Sequence, residues 1–69
     1  MTPLERVRTI PGLTATGNDH EIRVNAVDFR LVARYYGDGK WHFDEDQCSV
    51  PKAPYHLTLR KLIHDTLNP

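Results

Sequence analysis

Cysteine is almost missing from this chain. Cys48 stands alone among 69 residues, so no disulfide can close within the chain and no cysteine-rich zinc site can form. Long apolar runs are missing too. The opening MTPLERVRTI lacks the hydrophobic segment of an ordinary signal peptide, and no stretch approaches the roughly 20 apolar residues of a membrane span. Charge of one sign is equally scarce: nine Lys and Arg meet nine Asp and Glu, for a formal net charge of zero. A basic nucleic-acid tail and an acidic mimic both need a large field of one sign, so neither is expected. These absences point to a reducing, cytoplasmic setting without a membrane.

What is present reads as one small globular domain over residues 1–69. The 39 % hydrophobic and 26 % charged content is near the globular average, against wholesale disorder. A chain of this length buries little apolar surface, and nothing in it acts as a covalent staple. A partner or a second copy of the chain is therefore a natural source of added stability.

Thr2-Pro3-Leu4-Glu5 carries a helix start: Thr2 as cap, Pro3 at the first helical position, and Glu5 three residues after the cap. Leu4 and Val7 share a face, and Pro11-Gly12 ends the helix after about two turns. So short a helix must dock through Leu4, Val7 and Ile10 or Leu13. Thr14 to Asp19 reads as loop, with turn chemistry at Gly17-Asn18-Asp19. From His20 the period becomes two. Ile22 and Val24 alternate with polar neighbours, and a second alternation runs Val27, Phe29, Leu31, Ala33, Tyr35. The phase slips at Asn25-Ala26, where a hairpin turn is expected. Gly37-Asp38-Gly39 marks a second hairpin, followed by a strand over Lys40 to Asp44. Phe29, Leu31, Trp41 and Phe43 form the expected centre of the core.

Beyond Pro51 and Pro54 a last helix is expected, with Tyr55, Leu59, Leu62, Ile63, Thr66 and Leu67 on one side and Arg60, Lys61, His64 and Asp65 on the other. Its start is open between Pro54 and a cap at Thr58 with a Leu57–Leu62 staple. The fold expectation is α+β: a three-stranded antiparallel β-meander with a short N-terminal helix and a C-terminal amphipathic helix, in the order α-β-β-β-α.

No metal site is expected. His56 and His64 lie about 12 Å apart along a helix, too far to share an ion. His42, Asp44 and Asp46 alternate ahead of Cys48, but DGKWHFDEDQC follows neither zinc nor EF-hand spacing. Catalysis is not expected either. Cys48 is not placed beside a histidine by any spacing, and lone cysteines in small domains more often serve as buried apolar groups. Asp44, Glu45 and Asp46 offer paired carboxylates, but a domain this small has little room for a water-excluding cleft. No cofactor motif occurs.

Charge patterning carries more information. Residues 37–50 hold Asp38, Asp44, Glu45 and Asp46 against Lys40 alone, whereas residues 51–69 hold Lys52, Arg60 and Lys61 against Asp65. In the meander, Arg23, Arg30, Arg34, Tyr36, Lys40 and His42 share the polar sheet face, with Val32 among them. Arginine beside exposed aromatics is the composition of interaction hot spots and equally of base-stacking surfaces. Cross-strand ion pairing explains the same residues without any ligand. The expected partner-binding residues are Arg23, Arg30, Arg34, Tyr36, Lys40, His42, Asp44, Glu45 and Asp46. The functional expectation is a small non-enzymatic cytoplasmic protein that binds a larger protein as an inhibitor, adaptor or regulator, a profile common among phage and mobile-element accessory proteins. The alternative is a nucleic-acid-binding module using the basic-aromatic sheet face or the C-terminal helix.

Overall fold

Thr2 and Glu5 exchange hydrogen bonds at the start of the first helix. The Glu5 N–H donates to Thr2 Oγ1 at 3.2 Å and the Thr2 N–H donates to Glu5 Oε1 at 3.1 Å. This reciprocal cap satisfies two otherwise orphaned donors, and it holds the Glu5 carboxyl below its usual range. In the computed structural model, which describes residues Met1–Pro69, helix α1 spans Pro3–Arg8, followed by strands β1 (Thr14–Gly17), β2 (Glu21–Ala26), β3 (Phe29–Tyr35) and β4 (Trp41–Phe43) and helix α2 (Pro54–Leu67). The α+β architecture matches the sequence expectation, with one strand more.

That extra strand is β1. Only Ala15 of its four residues is buried, so no alternation marks it in the sequence. What makes it a strand is the turn after it. Asn18 Oδ1 accepts the N–H groups of both His20 and Glu21, and Gly17 takes a φ of 143°. The chain therefore reverses tightly and lays Ala15 against Val24 and Thr16 against Arg23. The sheet runs β1-β2-β3-β4, antiparallel throughout.

The β2–β3 hairpin turns at Val27-Asp28, two residues later than expected. Ala26 pairs with Phe29 and Val24 with Leu31. Asp28 adopts the positive φ of this turn, 57°. Both registers keep Ile22 and Val24 on the core face, so hydrophobic alternation does not separate them. The later turn lengthens β2 by two residues, Asn25 and Ala26, and leaves Val27 exposed at the tip.

One sheet face carries the core: Ala15, Ile22, Val24, Phe29, Leu31, Ala33 and Trp41, covered by Val7 of α1 and by Leu59, Ile63 and Leu67 of α2. Each fully buried large aliphatic or aromatic side chain contributes roughly 1.5–3 kcal/mol, and these contributions hold two short layers together. Helix α2 begins at Pro54, after Ala53 and without a side-chain cap, so the Thr58 alternative does not hold. Its buried stripe is also rolled relative to the expected one. Tyr55 and Leu62 are exposed, while the flank carrying His56 and Arg60 turns towards the sheet. The sheet aromatics account for this roll. Phe29 stacks on His56 with ring centroids 6.1 Å apart, Arg60 lies 4.7 Å over Phe43, and His64 meets the Phe43 edge at 5.8 Å.

Side chains from the helical segments close both sheet edges. The Arg8 Nε donates to the Ala15 carbonyl at 2.9 Å on the β1 edge. On the β4 edge the Trp41 N–H donates to Asn68 Oδ1 at 2.7 Å, and Asn68 Nδ2 donates to the Trp41 carbonyl at 3.1 Å. Arg6 links the two helices through its Nε, which donates to the Thr66 carbonyl in the last turn of α2, where a cation also favours the helix dipole.

Candidate functional site on the open sheet face

The face opposite the helices is built row by row from the strand register. Asn25 lies beside Arg30, Arg23 beside Val32, and Glu21 beside Arg34 and then His42. Alternation places these side chains away from the core, so the sequence correctly groups Arg23, Arg30, Arg34 and His42. Tyr36, just beyond β3, joins them: it is 67 % exposed, and its ring centroid lies 5.6 Å from that of His42.

Lys40 does not belong to this group. It sits before β4 in the hairpin and lines an open cleft on the helix side, together with Arg6, Asp19, Tyr35, Trp41 and Leu67. That cleft has a volume of about 540 Å³. The segment His42 to Asp46 also fails to present its acids together. After Phe43 the chain makes a turn and returns to pair Ser49 with Arg30. Within that turn Asp44 reaches Arg34 and Glu45 instead reaches Arg60 on α2. Asp46 and Gln47 line a shallow depression with Arg23, Arg30 and Val32. Val32, expected to be exposed among the arginines, is 2 % exposed and lies outside the main core cluster.

Most charges of this face are engaged with one another. Arg34 contacts Glu21 at 3.2 Å and Asp44 at 3.2 Å, Gln47 Nε2 donates to Asp44 at 2.9 Å, and Arg23 lies 3.6 Å from Glu21. Neither Glu21 nor Gln47 is among the expected partner-binding residues; cross-strand ion pairing, the alternative account of this face, is what brings Glu21 to Arg34. Asp38 accepts from the Lys40 N–H at 3.0 Å and pairs with His42 Nε2 at 2.8 Å. The His42 hydrogen bond, followed by that of the Lys40 N–H, holds the Asp38 carboxyl below its usual range. Arg30 makes no ion pair. Its backbone is fixed on both sides, by Asn25 in β2 and by reciprocal hydrogen bonds with Ser49 at 2.9 and 2.8 Å.

The arrangement is therefore a polar face on a paired sheet frame. A linked Glu21–Arg34–Asp44 centre is flanked by Arg30 and Arg23 on one side and by Tyr36 and His42 on the other. Cys48 is half-buried behind it, 3.4 Å from the Val32 N–H, and burial pushes its thiol above the usual value. Such a thiol is a poor nucleophile. No three of the chain's His, Cys, Asp and Glu side chains converge as a metal-binding group, and no helix is long and apolar enough to cross a membrane. Compared with known protein families, curated proteins and solved structures, the chain matches none.

Proposed function

We propose that this chain is a small non-enzymatic cytoplasmic protein that works by covering a surface of a larger protein, as an inhibitor, adaptor or regulator, through its open sheet face. The observation that carries this reading is the pairing pattern of that face. Arg34 and Arg23 together balance Glu21 and Asp44 and stiffen the centre, while Arg30 and the exposed ring of Tyr36 are left on either side of it. Arginine and tyrosine are enriched among interface hot spots, and a sheet frame that is already ordered adds no backbone ordering cost on binding. Arg23 and His42 extend the same contact surface, and Asp46 rims it.

The test is affinity capture from host lysate, with and without nuclease, comparing wild type with an Arg30→Glu/Tyr36→Ala variant. Neither substituted side chain supports the fold, so the variant keeps its thermal midpoint. A protein captured in fixed stoichiometry, surviving nuclease and lost in the variant, supports the proposal when the purified pair re-forms a complex. Capture unaffected by the substitutions removes the sheet face from consideration. Nuclease-sensitive capture with steep salt dependence would assign the face to nucleic acid instead.

A further inference from the structure

Helix α2 leaves three large apolar side chains exposed: Tyr55 at 70 %, Leu57 at 51 % and Leu62 at 47 %. At 3.6 residues per turn, Leu57, Thr58, Lys61, Leu62 and Asp65 fall on the side away from the buried Leu59, Ile63 and Leu67. The strip has a cation and an anion one turn apart along its middle, Lys61 and Asp65, whose charged atoms approach to 2.8 Å. Apolar side chains flank them on both sides. A strip that runs from cation to anion is its own complement when turned end for end. An antiparallel second copy sets Asp65 of that copy against Lys61, and Lys61 of that copy against Asp65, as an isologous contact requires. The other common route to self-association, strand addition at a sheet edge, is obstructed. Arg8 occupies the Ala15 carbonyl on the β1 edge, and Asn68 occupies both outward-facing groups of Trp41 on the β4 edge.

We propose that the chain forms a two-fold homodimer through antiparallel pairing of α2 with α2 of a second copy. The axis passes beside Leu62, and the two Leu62 side chains meet on one side of the charged residues. Lys61 and Asp65 exchange their intrahelical pair for a four-membered charge cluster across the interface. Because α2 lies on one side of the sheet and the open face on the other, this dimer turns two open faces outward. Bivalent binding by those faces rests on the function proposed above, whereas the dimer itself does not.

The experiment is sedimentation velocity and light scattering on the purified chain alone, from micromolar to near-millimolar concentration. Wild type is compared with Leu62→Glu, K61D and the swapped K61D/D65K pair, each checked for helix content by circular dichroism. The expected result is a concentration-dependent shift from the 8.0 kDa chain to twice that mass. Leu62→Glu and K61D each weaken dimerisation by on the order of tenfold or more. K61D/D65K recovers it, because the swapped strip is again self-complementary. A wild-type mass that stays at one chain throughout overturns the proposal, as does a dimer unchanged in Leu62→Glu. A dimer lost in K61D and not recovered in the swap overturns the antiparallel charge pairing. These outcomes are independent of any partner, so they stand whatever the capture experiment returns.

Discussion

Asn68 holds Trp41 by both of its outward-facing backbone groups, so a side-chain amide takes the place of a fifth strand. In the β3–β4 ladder the Asp44 N–H points at the Val32 carbonyl, which sets the hydrogen-bonded face of residues 42 and 44 towards β3 and turns that of Trp41 away from it. Asn68, the C-cap residue of α2, meets that outward face with a donor and an acceptor at peptide-like spacing. The end of the last helix and the edge of the sheet are thus fixed in one step. The indole packs beneath them, 5.5 Å from the Tyr35 ring.

Replacing Asn68 by Ala removes two hydrogen bonds and is expected to cost about 1–2 kcal/mol. For a domain of this size each kcal/mol lowers the thermal midpoint by roughly 4–8 °C. Asn68→Asp keeps the acceptor for the Trp41 N–H but sets a carboxylate against the Trp41 carbonyl and the negative end of α2. It should therefore be at least as destabilising as Asn68→Ala above pH 5, and less so in acid where the carboxyl regains a proton. Chemical denaturation of the two variants at two pH values decides this. An Asn68→Asp protein as stable as wild type at neutral pH would show that the amide donor contributes nothing.

Gly17 is the residue the extra strand depends on. A Cβ added there would meet the Glu21 carbonyl oxygen at 2.1 Å, and its φ of 143° is one that side chains rarely adopt. Both problems lie in backbone and cannot be relieved by rotating a side chain. Gly17→Ala is expected to destabilise on the order of 3 kcal/mol, much of the margin of so small a domain. Asp28, at φ 57°, is the converse case. Asp28→Gly removes the penalty of a left-handed residue and leaves stability unchanged or raised by up to about 1 kcal/mol. Urea midpoints that move together in the two variants would contradict this reading of the turns.

The contrast between these two turns shows what the sequence makes legible. Alternation in Ile22–Val24 and Phe29–Tyr35, the capping box at Thr2 and Glu5, and the Gly37-Asp38-Gly39 turn are local signals, and each element they imply is present. β1 carries a single buried side chain, so its existence depends on the reversal at Gly17–Asn18 rather than on its own pattern. The turn at Val27-Asp28 goes with the stacking of Phe29 on His56 of α2, a tertiary contact that lies outside the strand pattern. Alternation is the same in both registers and carries no information on that choice. Likewise the strand period places Arg30 and Arg34 on one face, but ion pairing is a cross-strand property. Only the register reveals that Arg34 is engaged by Glu21 and Asp44 while Arg30 is unpaired.

That difference between the two arginines can be measured. Arg34→Met leaves the half-buried Asp44 carboxylate without its cation and Glu21 with only the more distant Arg23, and should lower stability by about 1 kcal/mol, reduced in high salt. Arg30→Met breaks no pair and should stay within about 0.5 kcal/mol of wild type. Partner capture should rank them the other way, with Arg30→Met the more damaging relative to its small effect on folding. If stability and capture fall in parallel across both variants, binding is tracking folding and the sheet face loses its support as a contact surface.

Cys48 supplies the alkaline half of the pH profile. Burial is the main cause that raises its thiol, and the neighbouring Glu45 and Asp44 charges act in the same direction, against the Val32 N–H and Arg60. The folded chain thus holds its proton at pH values where the unfolded chain has released it. Stability from this group is complete below the unfolded thiol value, about 8.5, and is lost as pH rises through the folded one. Asp38 and Asp65 have the opposite sign. Hydrogen bonds from His42 and from Lys61 lower them, so their contribution is present above the unfolded carboxylate value and disappears as pH falls through the folded one. Alkylation of Cys48 by iodoacetamide should accordingly be slower in the folded protein than in urea, with its pH midpoint displaced upward. In Cys48→Ala the decline in stability above about pH 8.5 should be shallower than in wild type. An alkaline limb identical in the two proteins would mean that other groups, the tyrosines and lysines, govern it and that the thiol is not coupled to folding.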